Sequence, residues 1–84
     1  MYYMYILRST KDGSFYIGST SNLKERLNRH NSGRSKYTKA RRPWNLAYSE
    51  IYLTLSEARK REFHLKSLKS RIAIEKLIKA GPVV

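Results

Sequence analysis

Glu62 stands where a carboxylate is expensive. On the helix that begins at Thr54, Ala58, Leu65 and Leu68 recur at helical spacing. Glu62 falls four residues after Ala58 and three before Leu65, along the apolar stripe rather than opposite it. A carboxylate withdrawn from water must be paired with a cation or bind a metal, and the many arginines of the chain keep the ion-pair reading open beside the metal one. Arg26 and His30 show the same pattern on an earlier helix. Arg26 is three residues after Leu23, and His30 is three after Leu27, so both border the apolar stripe and point toward a sheet. An arginine at a stripe edge can simply snorkel, and a lone histidine is often structural, but polar groups so placed also mark functional sites. Four of the seven tyrosines, Tyr2, Tyr3, Tyr5 and Tyr16, fall on the first two strands, where tyrosine packs well. Tyr16 differs in sitting beside Gly18, whose missing side chain lets another backbone or a phosphate approach closely.

The elements that must position these groups follow from pattern. Tyr2 to Leu7 is an aromatic and aliphatic run that reads as a strand. Lys11-Asp12-Gly13-Ser14 is a turn, and Ser14 to Gly18 is the returning strand, with Phe15 and Ile17 on one side and Tyr16 and Gly18 on the other. Asn22 caps a helix with Glu25 three residues on, Leu23 and Leu27 give it an apolar stripe, and Asn31-Ser32-Gly33 stops it. Arg34 to Trp44 reads as a basic loop, and Leu46 to Leu53 as a third strand. Thr54, with Glu57 three residues later, caps a second helix that runs to about Lys69. Ser70 caps a third, through Lys79, with Ile74, Leu77 and Ile78 as its apolar side and Gly81-Pro82 as its end. The order is β-β-α-β-α-α in one domain over residues 1–84, an α+β arrangement of sandwich type in which a small, mostly antiparallel sheet is flanked by helices.

Charge narrows the partner. Eighteen Lys and Arg oppose six Asp and Glu, a formal net charge of +12. No acid lies between Glu25 and Glu50, whereas Arg26, Arg29, Arg34, Lys36, Lys39, Arg41 and Arg42 do. A nucleic acid is the economical partner. Arg34, Lys36, Lys39, Arg41 and Arg42 are expected on backbone phosphates, and Tyr37 or Trp44 on an unpaired base, although Trp44, placed between Pro43 and a strand, is better read as packing. With no cysteine, disulfides and thiolate metal sites are excluded. Met1 to Leu7 is apolar but too short to span a bilayer, and residues 70–79 are too short and not basic enough on one face for a membrane-surface helix. The expectation is an untargeted cytoplasmic protein without a membrane partner.

Tyr3-Met4-Tyr5, Tyr16-Ile17-Gly18, Arg26, His30 and Glu62, in this order and spacing, resemble the GIY-YIG nuclease superfamily, and most of all its small stand-alone domains. Asn31-Ser32-Gly33, Lys36-Tyr37-Thr38, Arg41-Arg42-Pro43, Ser56-Glu57-Ala58-Arg59 and Arg61-Glu62 carry the likeness across nearly the whole chain. The first motif keeps only its last tyrosine, and a polar residue used by larger relatives has no match near Ile74 and Glu75. The resemblance implies a three-stranded antiparallel sheet and hydrolysis of phosphodiester bonds in DNA, in repair or recombination, with one divalent ion. On it, Glu62 is the ligand of Mg²⁺ or Mn²⁺. Arg26 holds the scissile phosphate. Tyr16 activates or positions water with Tyr5 in support, and His30 transfers a proton or orients Tyr16. Such a domain keeping the fold without catalysis would remain a DNA- or RNA-binding module, and a protein partner for targeting fits either case.

Overall fold

The computed structural model describes residues 1–81, so Pro82, expected to help end the last helix, lies outside them. Its centre is β1, Tyr2–Ser9, in which Met4, Tyr5, Ile6 and Leu7 are all at most 1% exposed. Four consecutive buried side chains require cover on both faces of the sheet, because successive residues point to opposite sides. β1 supplies this as the middle strand, hydrogen-bonded antiparallel to β2, Phe15–Thr20, and to β3, Trp44–Tyr52. The sheet is the three-stranded antiparallel one expected, in the order β2-β1-β3.

The hairpin between β1 and β2 closes as the Asp-Gly pair predicts. Gly13 takes φ +76°, and Asp12 Oδ1 accepts from both the backbone N and the hydroxyl of Ser14. The pairing then places Tyr5 opposite Gly18, and Leu7 opposite Tyr16. Met4 and Ile6 pack with Tyr48, Leu65 and Ile74, joined by Phe15, Ile17, Leu77 and Ile78. Tyr5 and Leu7 pack on the other face with Trp44, joined by Tyr16, Leu23, Leu27 and Leu46. The alternation expected of Phe15 to Gly18 is therefore the one observed.

Helices cover both faces. α1, Leu23–Asn31, begins where Asn22 accepts from the backbone N of Glu25, and lies over the Tyr5 face. The Glu25 carboxylate turns away to Arg29, at 3.5 Å. On the Met4 face lie α3, Leu55–Leu68, capped by Thr54, and α4, Arg71–Ala80, capped by Ser70. Two expectations need correction. The basic segment 34–44 is not all loop: Lys36–Lys39 form one helical turn, α2, and Trp44 already belongs to β3. Four residues carry no periodic signal. This turn is held by tertiary bonds, chiefly the Trp44 indole donating to the carbonyl of Thr38 at 2.9 Å. Leu68 is 43% exposed, so the inward line of α3 runs through Ala58 and Leu65 and stops before it.

Between β3 and α3 lies a polar clamp. Glu50 accepts from the hydroxyls of Tyr48 and Tyr52, each at 2.6 Å, and from Arg61 at 3.0 and 3.2 Å. Burial alone would push the Glu50 carboxyl up, but these hydrogen bonds and the guanidinium charge outweigh it and hold the carboxyl below its usual range. The clamp fixes the residue next to Glu62. Among the described residues, no helix is long and apolar enough to cross a membrane.

Candidate active site

The free edge of β2 is where side chains from both faces of the sheet meet. A cleft of about 190 Å³ lies there, lined by Tyr5, Tyr16 and Gly18 from the hairpin strands, Arg26 from α1, and Arg59, Glu62 and Phe63 from α3. Four of the five candidate catalytic residues thus converge from three parts of the chain, and the fifth, His30, stands directly behind them.

Gly18 is what makes the convergence possible. A Cβ built on it would stand 2.5 Å from Oη of Tyr5 and 2.6 Å from its Cζ, so the Tyr5 phenol reaches the cleft only by lying across the bare backbone of β2. The close approach allowed by this glycine is that of a tyrosine. Gly18→Ala is therefore expected to push the ring aside, costing about 1–3 kcal/mol of stability and most of any activity. Urea melts beside cleavage assays check this, and an unchanged midpoint would contradict it.

His30 is buried between the two tyrosines. Its Nε2 is 3.2 Å from Oη of Tyr5, and its Nδ1 is 2.8 Å from Oγ1 of Thr38. It meets Tyr16 through the ring, with centroids 4.7 Å apart, so its hydrogen bond orients Tyr5 rather than Tyr16. Burial, together with the cations of Arg26 and Arg29, lowers its pKa and keeps the imidazole neutral. Burial also raises Tyr5 well above the ordinary phenol range, the neighbouring Tyr16 adds to this, and Arg26 only partly opposes it. Tyr5 is therefore a hydrogen-bond donor at neutral pH. Arg26 carries the one anomaly of the site: its Nε is buried and has no hydrogen-bond partner among the described residues. Such a group asks for an explanation, and an anion in the cleft supplies one.

Glu62 is nearly buried, with 14% of its side chain exposed. Oε1 accepts from the hydroxyl of Ser19 at 2.6 Å, and Oε2 meets the ammonium of Lys66 at 2.6 Å. The ion-pair reading of this acid is thus realised, but with a lysine one turn along the same helix that is 46% exposed. A pair with so exposed a member is worth at most about 1 kcal/mol, which leaves the acid open to a stronger cation. Among the described residues no three His, Cys, Asp or Glu cluster to cage a metal. One carboxylate beside an open cleft instead suits a hard ion such as Mg²⁺ or Mn²⁺, which keeps several waters and takes substrate oxygens. The other acids are engaged elsewhere: Asp12 in the hairpin, Glu25 with Arg29, Glu50 in the clamp, Glu57 at the cap of α3, and Glu75 with Arg71.

Ser19 and Phe63 carried no signal in the sequence, and Arg59, part of the Ser56-Glu57-Ala58-Arg59 likeness, was given no place in the site. Arg59 is one turn before Glu62 and so shares its side of α3, a usable signal. Phe63 is 62% exposed at the rim, which no pattern announced.

The basic segment forms a separate surface. Arg34, Lys36, Tyr37, Lys39, Arg41 and Arg42 are all exposed. Lys36, Lys39 and Arg42 join Lys11 around a shallow depression of about 640 Å³. Arg41 is partly committed, its Nε 3.2 Å from Asp12. Trp44 is buried, as its packing reading required, which leaves Tyr37 as the exposed aromatic of the segment.

The comparisons agree with this fold. The family described as the GIY-YIG catalytic domain matches residues 1–77, and the chain belongs to this nuclease family. Its relatives are UPF0213 proteins, small single-domain members of it. The chain is 46% identical over 81 residues to the UPF0213 protein of Staphylococcus saprophyticus, covering 95% of this chain and 96% of that one. It is 46% identical over 68 residues to the one from Bacillus licheniformis, covering 80% of this chain and 69% of that one. The solution NMR structure of a UPF0213 protein from Bacillus halodurans has the same fold, with a TM-score of 0.59 and 36% identity over 95% of this chain and 85% of that one.

Proposed function

We propose that this chain is a metal-dependent endonuclease that hydrolyses phosphodiester bonds in DNA, with structured or branched DNA in repair or recombination as the setting. The observation that carries this reading is the convergence of Tyr5, Tyr16, Arg26 and Glu62 on one cleft. Nucleic-acid binding alone does not require it. Glu62 would hold the divalent ion, which supplies Lewis-acid polarisation and neutralises charge on the phosphate. Arg26 offers its fork to two phosphate oxygens, so that Nε gains the partner it lacks. Tyr16 orients the attacking water; as the water oxygen bonds to phosphorus and the ester bond to the leaving oxygen breaks, the water gives up its proton to bulk solvent by way of the Tyr16 hydroxyl, and the leaving oxygen takes a proton from solvent. Tyr5, kept protonated and held by His30, donates a hydrogen bond to the phosphate. The test is cleavage of single-stranded, duplex and branched DNA with Mg²⁺, with Mn²⁺ and with EDTA. Metal-dependent cutting of any of these supports the reading, whereas tight binding without cutting of any would make the chain a binding module.

The basic depression would bind backbone phosphates without reading sequence. If Lys11, Lys36, Lys39 and Arg42 each neutralise one phosphate, duplex affinity should fall about a hundredfold between 50 and 200 mM salt. Fluorescence anisotropy titrations measure this, and a flat salt response would contradict it.

A further inference from the structure

Thr38 lies on α2 between Lys36 and Lys39, two of the exposed cations, yet its side chain is wholly buried. Its carbonyl is anchored by the Trp44 indole, and Trp44 is itself tied to α1 by Asn31, which accepts from its backbone N at 2.6 Å and donates to its carbonyl at 3.0 Å. This frame aims the Thr38 hydroxyl at His30. Nδ1 of that ring, 2.8 Å away, is the side-chain partner the hydroxyl has among the described residues. A hydroxyl removed from water must donate its proton somewhere. With Nδ1 as that acceptor, Nδ1 carries no hydrogen, and a neutral ring then carries its hydrogen on Nε2.

We propose that Thr38 is a positioning residue: its hydroxyl holds His30 as the Nε2–H tautomer, and Nε2–H in turn donates to Tyr5, leaving the phenol proton of Tyr5 free to face the cleft. The consequence for chemistry is direct. With the opposite tautomer, Tyr5 would spend its proton on His30 and present only lone pairs to a phosphate oxygen, which repels them. With the Thr38 tautomer it presents a donor. The imidazole stays neutral beside the cations of Arg26 and Arg29, so it has one hydrogen to place, and Thr38 decides where. The inference rests on the nuclease reading for its consequence, but the tautomer itself does not.

The test combines Thr38→Val, which keeps the shape and removes the hydroxyl, with Thr38→Ser, which keeps the hydroxyl. The chain has two histidines, so ¹⁵N spectra of the ring nitrogens resolve His30 once His64→Gln identifies the other. In the parent protein His30 should carry its proton on Nε2. Thr38→Val should mix the tautomers and lower kcat roughly tenfold, the lower range for losing an outer hydrogen-bond partner, with KM within about twofold of the parent. Thr38→Ser should restore both. A parent His30 protonated on Nδ1 overturns the proposal, as does a Thr38→Val protein whose tautomer is unchanged, whatever its activity. If Thr38→Val fails to fold, the parent tautomer and the Thr38→Ser spectrum still decide. If the parent cuts no DNA, the nuclease reading falls while the spectra still decide this one.

Discussion

Glu62→Ala should lower metal-dependent cleavage by at least about a thousandfold, a barrier increase of roughly 4 kcal/mol, and should leave DNA affinity within about threefold, because the basic depression proposed to supply phosphate contacts lies elsewhere. The expectation follows from the cleft having one carboxylate. With no second acid among its lining residues, nothing takes over the ion. Glu62→Gln sharpens the result. Its amide oxygen can still accept from Ser19, so the local structure is kept while the negative charge is lost. Glu62→Gln should melt near the parent temperature, since the bond given up goes to an exposed lysine, whereas Glu62→Ala also leaves the Ser19 hydroxyl without its acceptor and should melt somewhat lower. Single-turnover cleavage and anisotropy binding, run on the same preparations, separate the two effects. A Glu62→Gln protein that cuts at the parent rate would remove the acid from the mechanism.

Arg26 should show the opposite balance between activity and stability. Arg26→Lys keeps a positive charge but loses the fork, and it should lower kcat about a hundredfold, close to 2.7 kcal/mol. Arg26→Met removes the charge altogether and should abolish cleavage. Yet the Met variant should be more stable than the parent by about 1 kcal/mol, because a buried Nε without a partner costs stability that an apolar side chain of similar reach does not. Thermal melts in the absence of DNA measure this. A group whose removal helps folding and ends function is held in place for its ligand. A marked loss of stability in Arg26→Met would show instead that the arginine is structural.

The elements of this chain were legible because their signals are local. The caps at Asn22, Thr54 and Ser70 each bond the backbone N three residues on, where the residue types predicted it. The Asp-Gly turn set the hairpin, and the hairpin set which strand residues share a face. What escaped was whatever depends on tertiary partners. The α2 turn has no periodicity of its own and exists because Trp44 and His30 bond Thr38. Leu68 matched the stripe by spacing, but α3 leaves the sheet before reaching it.

The candidate site divides along the same line. Glu62 and Arg26 stood out because charged groups beside an apolar stripe are costly. That Glu62 meets Ser19 across the β2 edge, or that the Tyr5 phenol occupies the space vacated at Gly18, depends on strand register and on where α3 crosses the sheet. Glu50, an acid the sequence left without a role, is spent on the clamp that fixes α3 beside Glu62.

The most direct measurement is a crystal of this protein soaked in Mn²⁺, read by anomalous scattering. The account predicts one peak in the cleft of Tyr16, Arg26 and Glu62, about 2.1 Å from a Glu62 carboxylate oxygen, with the Lys66 ammonium moved off that oxygen. A saturating soak that leaves Glu62 bound to Lys66 and the cleft without a peak would contradict it.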